Sequence, residues 1–190
     1  MADVFFLDAN VLLDYLEKRN QEVMDVVAQL LLFQRKSKII VATSVFNVVE
    51  LIDTEFQIRF IGECINERMS GDEILSKLNR DKGMYKEIAD TNKEKIATKI
   101  NDFIVKNQIE ILSLSFDESG RHEELYKLIY EKTLRPQDAL IVATALANNA
   151  TYFLSNDKEL LDAIGKLLIA FNLRNKEQRE TFRDNVLKAI

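Results

Sequence analysis

Val4, Phe5, Phe6 and Leu7 form an unbroken apolar run that ends on Asp8. A short continuous run of this kind predicts a strand buried on both faces, the pattern of a parallel sheet. Val11 to about Lys18 then reads as a short helix. From Asn20 or Gln21, the residues Val23, Val26, Val27, Leu30, Leu31 and Phe33 recur at helical spacing and predict a longer one. Ile39-Ile40-Val41-Ala42, led in by Lys38, is a second strand-length run rich in β-branched residues. Strand, helix, strand in this order predicts a parallel pair joined by a helical crossover.

Thr43 and Ser44 are N-cap candidates for a long helix opening at Val45, with Val45, Val48, Val49, Ile52 and Phe56 as its apolar stripe. Glu50 lies at the edge of that stripe, where it is either an ordinary solvated helix residue or a carboxylate in an apolar setting. From Phe56 to about Lys106 the pattern is helical throughout, with Gly62, Gly71 and Gly83 as candidate breaks. Ile109 to Leu114 predicts a third strand, and Glu118 to about Thr133 a helix with Leu125, Leu128 and Ile129 inward.

Pro136 suits a first helical turn and places Asp138 in that turn. Ala139 to Ala147 is apolar nearly all round and rich in alanine, so a buried, closely packed helix is expected. Thr151 to Leu154 predicts a fourth strand, followed by Ser155, Asn156 and Asp157. Lys158 to about Leu168 reads as one more helix. Beyond Asn172 the chain is charged and carries Phe182, Val186 and Ile190 every fourth residue, an amphipathic terminal helix. The expected architecture is α/β: a three-layer sandwich around a mainly parallel sheet of four to five strands, helix-rich. A single domain over 1–170 holds a helical insertion at about 56–106, and a helical extension covers 171–190.

Composition narrows the chemistry. The chain of 190 residues is 47% hydrophobic and 30% charged, which suits a packed globular core. Its net charge of -5 excludes nucleic-acid binding by bulk charge and leaves local basic patches or bound cations. Lys77, Arg80, Lys82, Lys86 and Lys93, on the mildly basic part of the insertion, are candidate phosphate contacts; the other reading is a solvated helical face. One cysteine, Cys64, excludes an intrachain disulfide and cysteine-based zinc sites. His122 is the one histidine, and it stands among charged neighbours as a surface residue does. The start of the chain lacks a signal-peptide pattern, and no apolar stretch is long enough to span a membrane, so a cytoplasmic protein is expected.

What remains is carboxylate chemistry. Asp8 and Asp157 each follow a buried strand, so a parallel sheet would bring both out at one edge. Glu50 and Asp138 lie near the starts of helices, which face that same edge in βαβ units. Each has a plainer reading: Asp8 as a helix cap, Asp138 as complement to a helix dipole. Together the four would repel unless a cation joined them. Oxygen ligands without histidine or cysteine select Mg2+ or Mn2+, and such an ion in an acidic cleft activates water and holds a phosphodiester for in-line attack.

Four stretches carry a family resemblance: Phe6-Leu7-Asp8-Ala9-Asn10-Val11-Leu12-Leu13-Asp14, Ser44-Val45-Phe46-Asn47-Val48-Val49-Glu50-Leu51, Pro136-Gln137-Asp138-Ala139-Leu140-Ile141-Val142-Ala143-Thr144-Ala145 and Leu154-Ser155-Asn156-Asp157-Lys158-Glu159-Leu160. In this order they resemble PIN-domain nucleases, most of all the VapC-type toxin ribonucleases of type II toxin–antitoxin pairs. The resemblance implies a Rossmann-like fold and Mg2+- or Mn2+-dependent cleavage of RNA. It maps the family's acidic site onto Asp8, Glu50, Asp138 and Asp157, with Asn10 and Ser155 in support. It also implies a homodimer and, in the toxin branch, an antitoxin protein. The chain is longer than a typical toxin, chiefly through the 56–106 insertion and the tail after 170. Two other readings stand beside it: a catalytically silent PIN-fold module that binds RNA or protein, and a haloacid-dehalogenase-like phosphohydrolase with Asp8 as nucleophile. The latter usually carries a second aspartate where this chain has Asn10.

Overall fold

The computed structural model describes residues 2–36, 38–78, 90–114 and 121–190. The chain forms two compact units, one made of residues 1–48 with 104–190 and the other of residues 49–103.

The first unit is built on five parallel strands in the order β3-β2-β1-β4-β5. These are β1 (Asp3–Leu7), β2 (Ile39–Ser44), β3 (Glu110–Leu112), β4 (Tyr152–Ser155) and β5 (Ile169–Asn172). The apolar run Phe5-Phe6-Leu7 is fully buried because β1 is the central strand, paired with β2 on one side and β4 on the other. Phe6 aligns with Ala42 and Phe153, and Leu7 with Leu154. Phe6 and Phe153 stack with ring centroids 5.4 Å apart, a cross-strand aromatic pair.

Helices α1 (Ala9–Leu16) and α2 (Gln21–Arg35) follow β1 and bury Val11, Leu12, Val23, Val26, Val27, Leu30 and Leu31, as the helical spacing predicts. Asn20 caps α2 through the Val23 amide. Gln34 closes a gap where β2 has outrun β3. Its side-chain carbonyl accepts from the Val41 amide, and its amide donates to the Asn107 and Gln108 carbonyls.

The long helix α3 (Val45–Asn66) starts in the first unit and continues into the second. Ser44 caps it, its Oγ accepting from the Asn47 amide. The apolar stripe expected on this helix is corrected: Val45 is 47% and Val49 58% exposed, while Asn47 is fully buried. The cause is a carbonyl. Leu7 ends β1 with a buried C=O that needs donors, and both Thr43 Oγ1 (2.8 Å) and Asn47 Nδ2 (3.1 Å) donate to it. That demand turns the Asn47 face inward and the two valines out.

In the second unit, the rest of α3 accompanies α4 (Gly71–Leu78) and α5 (Asp90–Lys106). Gly62 lies inside α3 and does not break it; Gly71 opens α4. Phe60 and Cys64 are buried against Phe56, Met69, Ile74 and Leu78. Lys99 reaches the buried carboxylate of Glu55 at 2.8 Å. Gly83 lies outside the described residues.

Helix α6 (Arg121–Tyr130) leads to α7 (Pro136–Ala147), with Pro136 in the first turn. Ala139, Ala143 and Ala145 are buried, and these small residues let α7 pack closely in the core with Phe6, Phe153 and Leu160. Helix α8 (Lys158–Ile164) ends at Gly165, earlier than the expected Leu168. β5 follows, over residues to which the apolar pattern assigned no element; Ile169 on it is 57% exposed. Helix α9 (Lys176–Asn185) places Phe182 at zero exposure against Phe5, Tyr152 and Phe171. No helix among the described residues is long and apolar enough to cross a membrane.

Candidate active site

Asp8 follows the last residue of the central strand and remains tied to the sheet, its amide donating to the Leu154 carbonyl at 3.0 Å. Its carboxylate is almost fully buried, 4% exposed. Oδ1 accepts from the Ala9 amide at 2.8 Å, so Asp8 does cap α1. Oδ2 accepts from Asn10 Nδ2 (2.7 Å) and Ser155 Oγ (2.6 Å). Desolvating a carboxylate is costly, and these donors keep it viable as an anion. The two side chains expected to support the acids, Asn10 and Ser155, are thus both in direct contact with Asp8.

Ser155 also reaches the next acid. Its Oγ accepts from the Asp157 amide at 3.0 Å and from Asn10 Nδ2 at 3.1 Å. Asp157 is the N-cap of α8, with Oδ1 accepting from the Leu160 amide at 3.1 Å. Asp138 is half-buried in the first turn of α7. Its carboxyl titrates above the ordinary aspartate range. Partial burial is the main cause, the like charge of Asp157 adds to it, and Arg135 works against it. The structure therefore links Asp8 to Asp157 through Ser155, and Asp157 to Asp138 through their charges.

Glu50 is half-buried on α3 and belongs to the second unit. Of the candidate phosphate contacts, Lys77 and Lys93 are half-buried in that unit, and the Lys77 ammonium stands 5.9 Å over the Phe60 ring. Arg80, Lys82, Lys86 and the His122 side chain lie outside the described residues.

Two buried polar residues of the first unit, Asp14 and Asn47, were not singled out from the sequence. Asp14 is 1% exposed and Asn47 0%. Each had a signal: Asp14 stands three residues after buried Val11, and Asn47 three after the capping Ser44. A polar residue on an inward helical face requires a partner, and that is the clue such spacing offers.

The profile of the PIN domain matches residues 5–167. The chain belongs to the PIN domain family. Its fold is also similar to a chain in the crystal structure of VapBC2 from Rickettsia felis bound to a DNA fragment from their promoter. That likeness has a TM-score of 0.54 at 18% identity, over 88% of this chain and 96% of that one. The chain matches no curated protein sequence. PIN domains are in general nucleases, which supports a hydrolase role here.

PIN domain nucleases in general use divalent metal ions. The chemistry of this PIN domain's donors suits one: carboxylate oxygens without sulfur or imidazole, and an Asp138–Asp157 repulsion that a cation would relieve. The carboxylates are not drawn into a ready cage, for no group of three or more histidine, cysteine, aspartate or glutamate side chains among the described residues could hold a metal as they stand.

The raised Asp138 carboxyl has a thermodynamic consequence. A group whose pKa is raised by folding contributes stability that is complete below its unfolded pKa and is lost as pH rises through the folded one. Ionised Asp138 thus weakens the metal-free fold at neutral pH. Asp138→Asn should melt about 1–2 °C above the parent at neutral pH without divalent ions, a small shift because the side chain is only half-buried. At a pH below the ordinary carboxyl range the two should melt together. Calorimetry at both pH values checks this; an equal shift at each would remove the ionisation of Asp138 as the cause.

Proposed function

We propose that this PIN domain is a divalent-metal-dependent ribonuclease that hydrolyses RNA phosphodiester bonds, and that it acts as the toxin of a toxin–antitoxin pair. The observation that carries the reading is the buried, fully hydrogen-bonded Asp8 carboxylate at the end of the central strand, coupled through Ser155 to Asp157. Asp8, Asp138 and Asp157 would hold Mg2+ or Mn2+. Glu50 joins them on sequence grounds, as a further ligand or as orienter of the attacking water. When bound, the ion supplies Lewis acidity at the phosphoryl group and lowers the pKa of water. Asn10 and Ser155 hold the Asp8 carboxylate in place through their hydrogen bonds to Oδ2.

The toxin reading includes RNA as substrate, an antitoxin protein that covers the site, a homodimer and a cytoplasmic location. Lys77, Arg80, Lys82, Lys86 and Lys93 are its candidate phosphate contacts. A fold neighbour solved as a VapBC complex supports this branch of the family. A second reading, a silent PIN-fold module that binds RNA or protein, is favoured by Asp157's use as a helix cap. The haloacid-dehalogenase-like reading belongs to a different family from the one the chain matches.

The test is cleavage of a labelled single-stranded RNA with Mn2+, with Mg2+, and with either ion chelated. Cleavage that appears only with free divalent ion is the expected result. Binding without cleavage under all three conditions would assign the chain to the silent class.

A further inference from the structure

Behind Asp8 and Asp157 runs a hydrogen-bonded chain of polar side chains that the nuclease reading leaves unused. It begins at Arg174, just after β5. The Arg174 guanidinium grips the buried Asp14 carboxylate with two bonds, Nε to Oδ2 at 2.8 Å and Nη2 to Oδ1 at 2.5 Å. Asp14 Oδ2 also accepts from Asn156 Nδ2 at 2.9 Å. Asn156 is held from three sides, since its Oδ1 accepts from the Arg174 amide (3.2 Å) and its carbonyl from Asn172 Nδ2 (3.3 Å). The Asn156 amide in turn donates to Asn10 Oδ1 at 2.8 Å.

That last bond decides an orientation. An asparagine side chain can present either its oxygen or its NH2 group to a neighbour. With Oδ1 engaged by a backbone N–H, Asn10 must turn its NH2 toward Asp8 Oδ2 and Ser155 Oγ, as it does. The clamp on Asn156 also sets the segment between Ser155 and Asp157. Three separate stretches, α1, the turn after β4 and the turn after β5, are locked to one another by this chain.

We propose that Arg174, Asp14 and Asn156 are positioning residues for the Asp8 and Asp157 carboxylates. They act through Asn10 and Ser155 and touch no reacting atom. Arg174 serves here because its planar fork matches a carboxylate with two bonds, which a lysine cannot do. The hydrogen bonds to the Asp14 carboxylate raise the guanidinium pKa further, so Arg174 stays charged. What the clamp serves rests on the metal-dependent nuclease reading; its physical existence does not.

Arg174→Gln tests it, with Arg174→Lys as the conservative variant. The charge-neutral pair Asp14→Asn with Arg174→Gln keeps the question answerable if an unpaired Asp14 unfolds the single variant. Three quantities are read: hydrogen exchange of the Asn156 amide, Mn2+ affinity by calorimetry, and kcat and KM on a single-stranded RNA. Outer partners of ligating carboxylates typically matter by 10–100-fold. Arg174→Gln should therefore speed Asn156 exchange, raise the Mn2+ dissociation constant and lower kcat by about tenfold each, with KM little changed and partial recovery in Arg174→Lys. Exchange at Phe6, in the central strand, should not move. Unaltered Asn156 exchange and Mn2+ affinity in a folded variant would overturn the proposal while leaving the nuclease reading intact. A parent protein that neither binds Mn2+ nor cleaves RNA would overturn the nuclease reading, and with it the role given to the clamp.

Discussion

Asp8→Asn should abolish metal-dependent RNA cleavage while the protein stays folded. The substitution is nearly isosteric and keeps one carbonyl oxygen for the donors around it. Asparagine is as good an N-cap as aspartate, so α1 keeps its start. The new NH2 group replaces an acceptor in a setting where Ala9, Asn10 and Ser155 all donate. One mismatched polar contact costs about 1–3 kcal/mol, which lowers the melting temperature by several degrees without unfolding the chain. Activity should fall much further. A lost Lewis-acid contribution of several kcal/mol lowers the rate by about 100-fold or more, since each ~1.4 kcal/mol is a factor of ten. Mn2+ binding measured on the same sample separates the causes. Loss of cleavage together with loss of Mn2+ affinity assigns Asp8 as a ligand. Undiminished cleavage would end the assignment of this site.

Phe182→Ala should be the most destabilising single change in the C-terminal segment. Phe182 is fully buried and its ring meets Phe5, Phe171 and Tyr152 at 6.1, 5.1 and 6.3 Å in edge-on geometry. Truncating a buried phenylalanine to alanine costs about 3–5 kcal/mol through lost transfer energy and the cavity left behind. For a chain of this size that is a drop of roughly 10 °C or more in melting temperature. Phe182→Leu, which refills most of the space, should cost less than half as much. Thermal melting followed by circular dichroism reads both. Equal, small losses would mean that α9 is only loosely attached to the strands it covers.

The fold class was readable because its main signals are local. Phe5-Phe6-Leu7, Val41-Ala42 and Phe153-Leu154 are buried in the middle of a parallel sheet, and burial on both faces writes itself as an unbroken apolar run. The inward residues of α1 and α2 and the terminal Phe182 and Val186 follow helical spacing for the same reason. β5 was not readable. It is an edge strand whose Ile169 faces outward, and its apolar residues run on directly from Leu167 and Leu168. Only pairing with β4, Ser155 beside Asn172 at its end, makes it a strand.

The acids divide the same way. Aspartates placed just after a strand or in a first helical turn can be picked out one at a time from their neighbours, and so could their small polar companions Asn10 and Ser155. Their connections are another matter. That Ser155 joins Asp8 to Asp157, that Asp157 pushes the Asp138 carboxyl upward, and that Arg174 reaches Asp14 are relations between residues on different elements, which the local sequence does not bring together. Asn47 and Asp14 read as blemishes on apolar helical faces until the Leu7 carbonyl and the Arg174 guanidinium are seen to need them. Periodicity and end signals are properties of a few consecutive residues, so the amino-acid order alone carries them. A buried polar group is settled by whichever donor or acceptor the folded chain brings within about 3 Å of it, and that distance exists only once the sheet has assembled.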